Sequence, residues 1–254
     1  MSPTGTTDHH EVIDVRGGPR PRVVMVVANP TTSTTTGWPV GFWAAELFHP
    51  LHVFARARYE VTVVSPDGGH VALDTLSDPR DPSRWSADDV ISMGYLHMPE
   101  VMASLEHTPA VSDVDPAELD AIVVCGGQGP MFQFRGHTGL EELIVSVFES
   151  GRPTAALCHG VSALIDCHLG DGTPLVAGRT VTGFANVEEE FSDAAAGETV
   201  MPYRVEDELR ARGANYVQAG LFRSFAVRDG NLITGQQQYS GTRVADHVVH
   251  ALGV

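Results

Sequence analysis

Three short runs of β-branched and aliphatic residues constrain this chain more than anything else in it. Arg22 to Ala28 reads RVVMVVA, Glu60 to Ser65 reads EVTVVS, and Ala121 to Cys125 reads AIVVC. The first and third are continuous apolar runs, so each predicts a strand buried on both faces, as in a parallel sheet covered by helices, and EVTVVS reads as a further strand. Helical patterns lie between them. Phe42, Ala45, Leu47, Phe48, Leu51 and Phe54 recur at helical spacing within 42–58, with Pro50 expected to kink or break that helix. Leu140 to Glu149 reads as an amphipathic helix, and 203–212 as another, ending at Gly213. Thr180 to Phe184 is expected to be a strand. Phe225 to Arg228 and Leu232 to Thr234 flank an Asp-Gly-Asn turn and predict a hairpin, and Ser240 is placed to cap a last helix.

Strands alternating with helices predict an α/β fold: a doubly wound, mostly parallel sheet, a flavodoxin-like sandwich. One domain is expected over 22–254. Residues 74–117, rich in Asp, Pro and Ser with one helical stretch near 88–105, are expected to be an inserted cap segment. Residues 1–21 carry Thr, Gly, Pro and charge without an apolar core, which predicts a disordered arm and no signal peptide.

The 254 residues are 43% hydrophobic, enough for a full core, and carry a formal net charge of −16. That charge argues against nucleic acid or an anionic membrane as partner. The three cysteines, Cys125, Cys158 and Cys167, form no short-spaced pair, so neither a zinc site nor a disulfide framework is expected, and a reducing cytoplasmic location fits.

The segment Thr154-Ala-Ala-Leu-Cys158-His159-Gly160-Val-Ser-Ala-Leu164 carries the chemistry. An apolar strand stops at a cysteine, and a helix is expected to open at once. A tight turn there exposes the sulfur at the sheet rim, and the helix N-terminus favours thiolate, so a low-pKa accessible thiol is expected. Backbone N–H groups nearby offer an oxyanion hole, and Gly160 is expected to leave room for substrate. Cys125, ending a buried strand, and Cys167, inside or at the end of the next helix, read as structural cysteines. Glu46, between Ala45 and Leu47 on an apolar stretch, reads as a buried carboxyl with a raised pKa, suited to moving protons.

Gly41-Phe-Trp-Ala-Ala-Glu46-Leu-Phe-His-Pro50, Ser65-Pro-Asp-Gly-Gly69 with Asp74 and Ser77, and Cys125-Gly-Gly-Gln-Gly-Pro-Met131 are three motifs of one ordered set. Ala156-Leu-Cys158-His159-Gly160 and Val181-Thr-Gly-Phe-Ala-Asn-Val-Glu188-Glu189 complete it, with a weaker match at Leu232-Ile-Thr-Gly-Gln236. Over residues 22–252 the chain resembles the ThiJ/PfpI superfamily, also called class I glutamine amidotransferase-like, and within it the glyoxalase III and heat-inducible chaperone branch. The resemblance implies that Cys158 is the nucleophile, His159 its triad neighbour, Glu189 the acidic third member and Glu46 the carboxylic acid paired with the cysteine. It implies an oxyanion hole at the N–H groups of Gly127 and His159.

Two positions depart from the branch: Gln128 stands where histidine is frequent, and Gln133 where an acidic residue is. The segment Gln236-Gln237-Gln238-Tyr239-Ser240 also lacks the branch's Asn-Pro. Losing the histidine removes a titratable group and a possible metal ligand, so a metal-free site is expected, with the pocket retuned for a larger neutral carbonyl compound. Trp38, Phe42, Trp43, Met131 and Phe132 flank the motifs as candidate lining. The leading expectation is cofactor-independent glyoxalase III-like chemistry on a small 2-oxoaldehyde, in a homodimer. A cysteine hydrolase or hydratase, and a non-enzymatic holdase or redox sensor, are the alternatives.

Overall fold

The computed structural model describes residues 19–253; of the arm expected over 1–21, all but the last three residues lie outside these. The elements follow in chain order: β1 (Arg22–Val26), β2 (Thr31–Thr32), β3 (Pro39–Val40), α1 (Ala44–Arg56), β4 (Glu60–Val64), α2 (Val90–Leu96), α3 (Pro99–Glu106) and β5 (Ala121–Val124). Then come α4 (Pro130–Gln133), α5 (Thr138–Glu149), β6 (Thr154–Leu157), β7 (Thr180–Val181), α6 (Asn186–Ala196) and α7 (Val205–Ala211). The last are β8 (Asn215–Tyr216), β9 (Ala226–Asp229), β10 (Leu232–Gly235) and α8 (Gly241–Ala251). The main sheet has the order β4-β1-β5-β6-β10-β9, parallel throughout except for the β9–β10 hairpin at its edge.

The continuous apolar runs are explained by two cores, one on each face. Val24, Val26, Ile122 and Val124 point to a core completed by α5 and the turn after β6. Their neighbours Val23, Met25, Ala121 and Val123 point to the other, completed by α1 and α8. Side chains of one strand therefore alternate between two dry layers, and no position is left for a polar residue.

Several local expectations are corrected. α1 runs unbroken through Pro50; the ring packs against α8, where a Cβ on Gly241 would lie 3.0 Å from Pro50 Cδ, so tertiary contact overrides the helix-breaking tendency. The stretch 88–105 divides into α2 and α3, with Pro99 opening the second. Only Thr180–Val181 of the strand expected at 180–184 pairs, and it does so with β8 outside the main sheet. Ser240 precedes α8 but does not cap it, because its hydroxyl accepts from Phe225 N and Gln237 N instead.

Candidate active site

The site forms beyond the carboxyl ends of β5 and β6, beside the point where the chain order of the sheet reverses between β1 and β5. β6 ends at Leu157 and the chain turns sharply. Cys158 sits at φ +56°, a left-handed conformation unusual for a side chain bearing a Cβ. Strain thus falls on the cysteine itself and not on Gly160. The residues after it, Cys158–Leu164, form a buried 3₁₀ turn where an α-helix was expected. Gly160 has a role other than substrate clearance: a Cβ there would lie 2.6 Å from Val124 O and 2.7 Å from Cys125 O, so glycine lets the elbow seat against the end of β5.

Four segments converge on the sulfur. His159 follows it, with Nδ1 3.8 Å from Sγ. On the far side of the imidazole, Nε2 lies 3.0 Å from Glu189 Oε1, and both side chains are buried. Ala185, just before α6, donates its N–H to Glu188 Oε2, and the first turn of the helix carries Glu188 and Glu189 inward. Glu188 accepts further bonds from Phe222 N and Gln236 Nε2, so it anchors neighbouring segments. Cys158, His159 and Glu189 are thereby brought into a line.

Glu46 arrives from the first turn of α1, fully buried. Its Oε2 accepts from Gly126 N at 2.9 Å, and the thiol of Cys158 is the carboxyl's other neighbour. A Cβ on Gly126 would lie 2.5 Å from Glu46 Oε2 and 2.8 Å from Cys158 Cβ, so only glycine there permits carboxyl and thiol to approach. Burial, reduced in part by hydrogen bonds from the thiol and Gly126, raises the Glu46 pKa to about 8. The carboxyl holds its proton at neutral pH.

The expectation of a depressed thiol pKa is overturned. Cys158 is only 3% exposed, and burial, then the charge of Glu46 when ionised, push its thiol up. The N–H groups of His159 and Gly127 act in the opposite direction and are the groups placed to hold negative charge near the sulfur. Cys125 and Cys167 are also buried with thiols pushed up, and Cys167 Sγ donates to Ala163 O. Gly127 adopts φ +110°, and a Cβ there would strike Trp43 N at 2.5 Å; the turn is fitted closely against the start of α1.

Asp74 organises the site, a role that reading the sequence missed. Its buried carboxyl accepts from Gly41 N at 2.8 Å through Oδ1 and from Gln128 N at 2.5 Å through Oδ2. It therefore ties the segment entering α1 to the loop that supplies the Gly127 N–H. Burial raises its pKa to about 6. The motif containing it was legible, but an aspartate in a Pro- and Ser-rich stretch carries no local sign of burial.

A cavity of about 320 Å³ opens over Cys158 and His159. Gln128 lines it, as do Trp38 and Trp43, whereas Phe42, Met131 and Phe132 pack into the cores. Trp85, Phe184, Phe191 and Phe222 replace them. Among the described residues no group of three or more His, Cys, Asp or Glu is placed to hold a metal ion, and no helix is long and apolar enough to cross a membrane.

A strained cysteine on a strand-to-turn elbow, backed by His and Glu and faced by a buried carboxyl, lies at the rim of a mostly parallel α/β sheet. The DJ-1/PfpI family model matches residues 39–251, and the chain belongs to that family. It is similar to Glyoxalase 3 of Candida albicans, 26% identical over 232 residues, covering 87% of this chain and 93% of that protein. Glutathione-independent glyoxalase HSP31 of Saccharomyces cerevisiae is 25% identical over 224 residues, 85% of this chain and 91% of the yeast protein. The solved structure of Rapid Encystment Protein 24 kDa from Francisella tularensis superposes with a TM-score of 0.83 at 26% identity, over 92% of this chain and all of that one.

Proposed function

We propose that the protein is a glutathione-independent glyoxalase that hydrates and isomerises a 2-oxoaldehyde to a 2-hydroxy acid, with Cys158 as nucleophile. The observation that carries this reading is the pairing of Cys158 with Glu46. A thiol can form the covalent adduct, and a carboxyl with a pKa of about 8 can both give and take a proton near neutrality. The names of the two yeast relatives support it.

In the first step the sulfur adds to the aldehyde carbon. The reactive form is the Glu46–Cys158 pair less one proton: the thiolate sulfur forms the S–C bond, the carbonyl π pair moves to oxygen, and that oxygen takes the Glu46 proton, giving a hemithioacetal and leaving Glu46 as the carboxylate. The Glu46 carboxylate then removes the proton on the former aldehyde carbon, and the electron pair forms an enediolate whose negative oxygen faces the N–H groups of Gly127 and His159. Glu46 returns the proton to the neighbouring carbon as the hydroxyl proton on the first carbon passes to the oxygen of the second. That carbon is reduced to a carbinol while the first is oxidised to a thioester, so no external acceptor or donor of electrons is needed. Water, deprotonated by His159 with Glu189 behind it, splits the thioester and regenerates the thiol. The sum is 2-oxoaldehyde plus water to 2-hydroxy acid.

The test is a substrate panel without added thiol, comparing methylglyoxal, a simple amide and an isonitrile on wild type and Cys158→Ala. The expected result is a 2-hydroxy acid from the aldehyde with wild type only. Turnover of the amide or isonitrile in its place would assign the same nucleophile to a hydrolase or hydratase. Association into a homodimer, in a reducing cytoplasm, belongs to the same proposal.

A further inference from the structure

The cavity over Cys158 is much larger than a methyl-bearing substrate requires, since about 320 Å³ is at the lower end of pockets that enclose drug-sized ligands. Its walls are aromatic. Phe184 lies with its ring centroid 4.3 Å from that of His159, Phe222 lies 6.4 Å from Phe184, and Phe191 meets Phe222 edge-on at 5.3 Å. Three phenyl rings thus lead outward from the reacting end to Phe191, which is partly in solvent. Trp38, Trp43 and Trp85 also line the space, with Trp38 and Trp85 exposed at its rim. Apolar surface left this open around a concave site marks a place where apolar matter binds.

Charge narrows the choice. Among the described residues no arginine or lysine lines the cavity, and the acidic residue that does, Glu189, is bonded to His159. A carboxylate or phosphate on the substrate tail would find no countercharge there, within a chain of net charge −16. At the reacting end, Gln128 Oε1 is buried without a hydrogen-bond partner among the described residues. It is an acceptor for the hydroxyl of the hemithioacetal.

We infer that the substrate is an uncharged 2-oxoaldehyde bearing an aryl or similarly bulky apolar group, held between the indoles and the phenyl rings. The inference rests on the glyoxalase reading and specifies its substrate class. Burying a phenyl ring in place of a methyl favours the larger substrate, and 1.4 kcal/mol of that preference already gives about a tenfold ratio.

The experiment compares kcat/KM for methylglyoxal, phenylglyoxal and 4-carboxyphenylglyoxal without added thiol, on wild type and Trp85→Ala. In parallel, quenching of tryptophan fluorescence by acetophenone and by acetone is followed on Cys158→Ala, where no covalent step occurs. The expected result is phenylglyoxal at least about tenfold above methylglyoxal, and 4-carboxyphenylglyoxal at least about tenfold below phenylglyoxal. Trp85→Ala should narrow the phenyl-to-methyl ratio, and acetophenone alone should quench saturably. Methylglyoxal turned over as well as phenylglyoxal would overturn the substrate class and leave the glyoxalase reading standing. Saturable acetophenone binding with no 2-oxoaldehyde converted would overturn that reading and the substrate class with it, and would locate the failure in the reaction and not in the pocket.

Discussion

At neutral pH the Glu46 carboxyl keeps a proton that the unfolded chain would release, because its pKa is raised from 4.5 to about 8, mainly by burial. Stability from this source is complete below about pH 4.5 and is lost as pH rises through about 8. Glu46→Gln removes the dependence. Urea melts at pH 5 and pH 8 should show the variant gaining on wild type by about 1–4 kcal/mol between the two, at roughly 1.4 kcal/mol per pKa unit. The same substitution should lower turnover at least about tenfold while leaving the thiol alkylatable by iodoacetamide. In wild type, kcat/KM should climb toward pH 8 as the Glu46–Cys158 pair loses a proton, and this limb should vanish in Glu46→Gln. Asp74→Asn leaves one oxygen to accept where two N–H donors now bind. It is expected to lower kcat by about tenfold more than it raises KM, and to remove a fall in activity below about pH 6 that wild type should show, as read from full pH profiles. Cys158 and His159 were legible because the chemistry and the turn are local in sequence. The Glu46–Cys158 contact was not derivable from spacing, since 111 intervening residues separate them; only the family motif placed them together. Burial of the thiol was equally hidden, because the helix expected after Cys158 is a 3₁₀ turn and the covering residues come from three distant segments.

The elements that hold the site are joined where glycine lets backbones touch. Gly160 seats the elbow on β5, and Gly160→Ala would push a Cβ against two carbonyl oxygens that cannot swing aside. A loss of about 1–3 kcal/mol in denaturant unfolding is expected, with reduced activity in the fraction that folds. β1 and β5 were readable from composition alone because a strand buried on both faces has no reason to carry a polar residue, whereas β4, at the sheet edge, exposes Glu60 and Thr62 and shows itself only by its valines. The two-residue strands β7 and β8 have no such signal: their pairing depends on Asn215 N donating to Arg179 O and Val217 N to Val181 O, contacts set by the fold around them. Pro50 misled in the opposite direction. Local chemistry favours a break, and packing of α1 against α8 keeps the helix continuous. Ser240 shows the same competition, its hydroxyl drawn to the loop before it.

Across the whole molecule, the sheet supplies a rim and the proposed site is assembled from what crosses it: the elbow after β6, the glycine turn after β5, the first turn of α1 and the first turn of α6. The homodimer proposed here should elute in size-exclusion chromatography with twice the mass of one chain, and dilution to a monomer-sized species would count against it. In the proposed reaction Cys158 converts a 2-oxoaldehyde to a 2-hydroxy acid with no added thiol. Proton NMR of phenylglyoxal incubated with wild type, Cys125→Ser and Cys158→Ser tests it most directly. Mandelate should appear with wild type and Cys125→Ser and be absent with Cys158→Ser. Mandelate formed at an undiminished rate by Cys158→Ser, or no mandelate from any of the three, would contradict it.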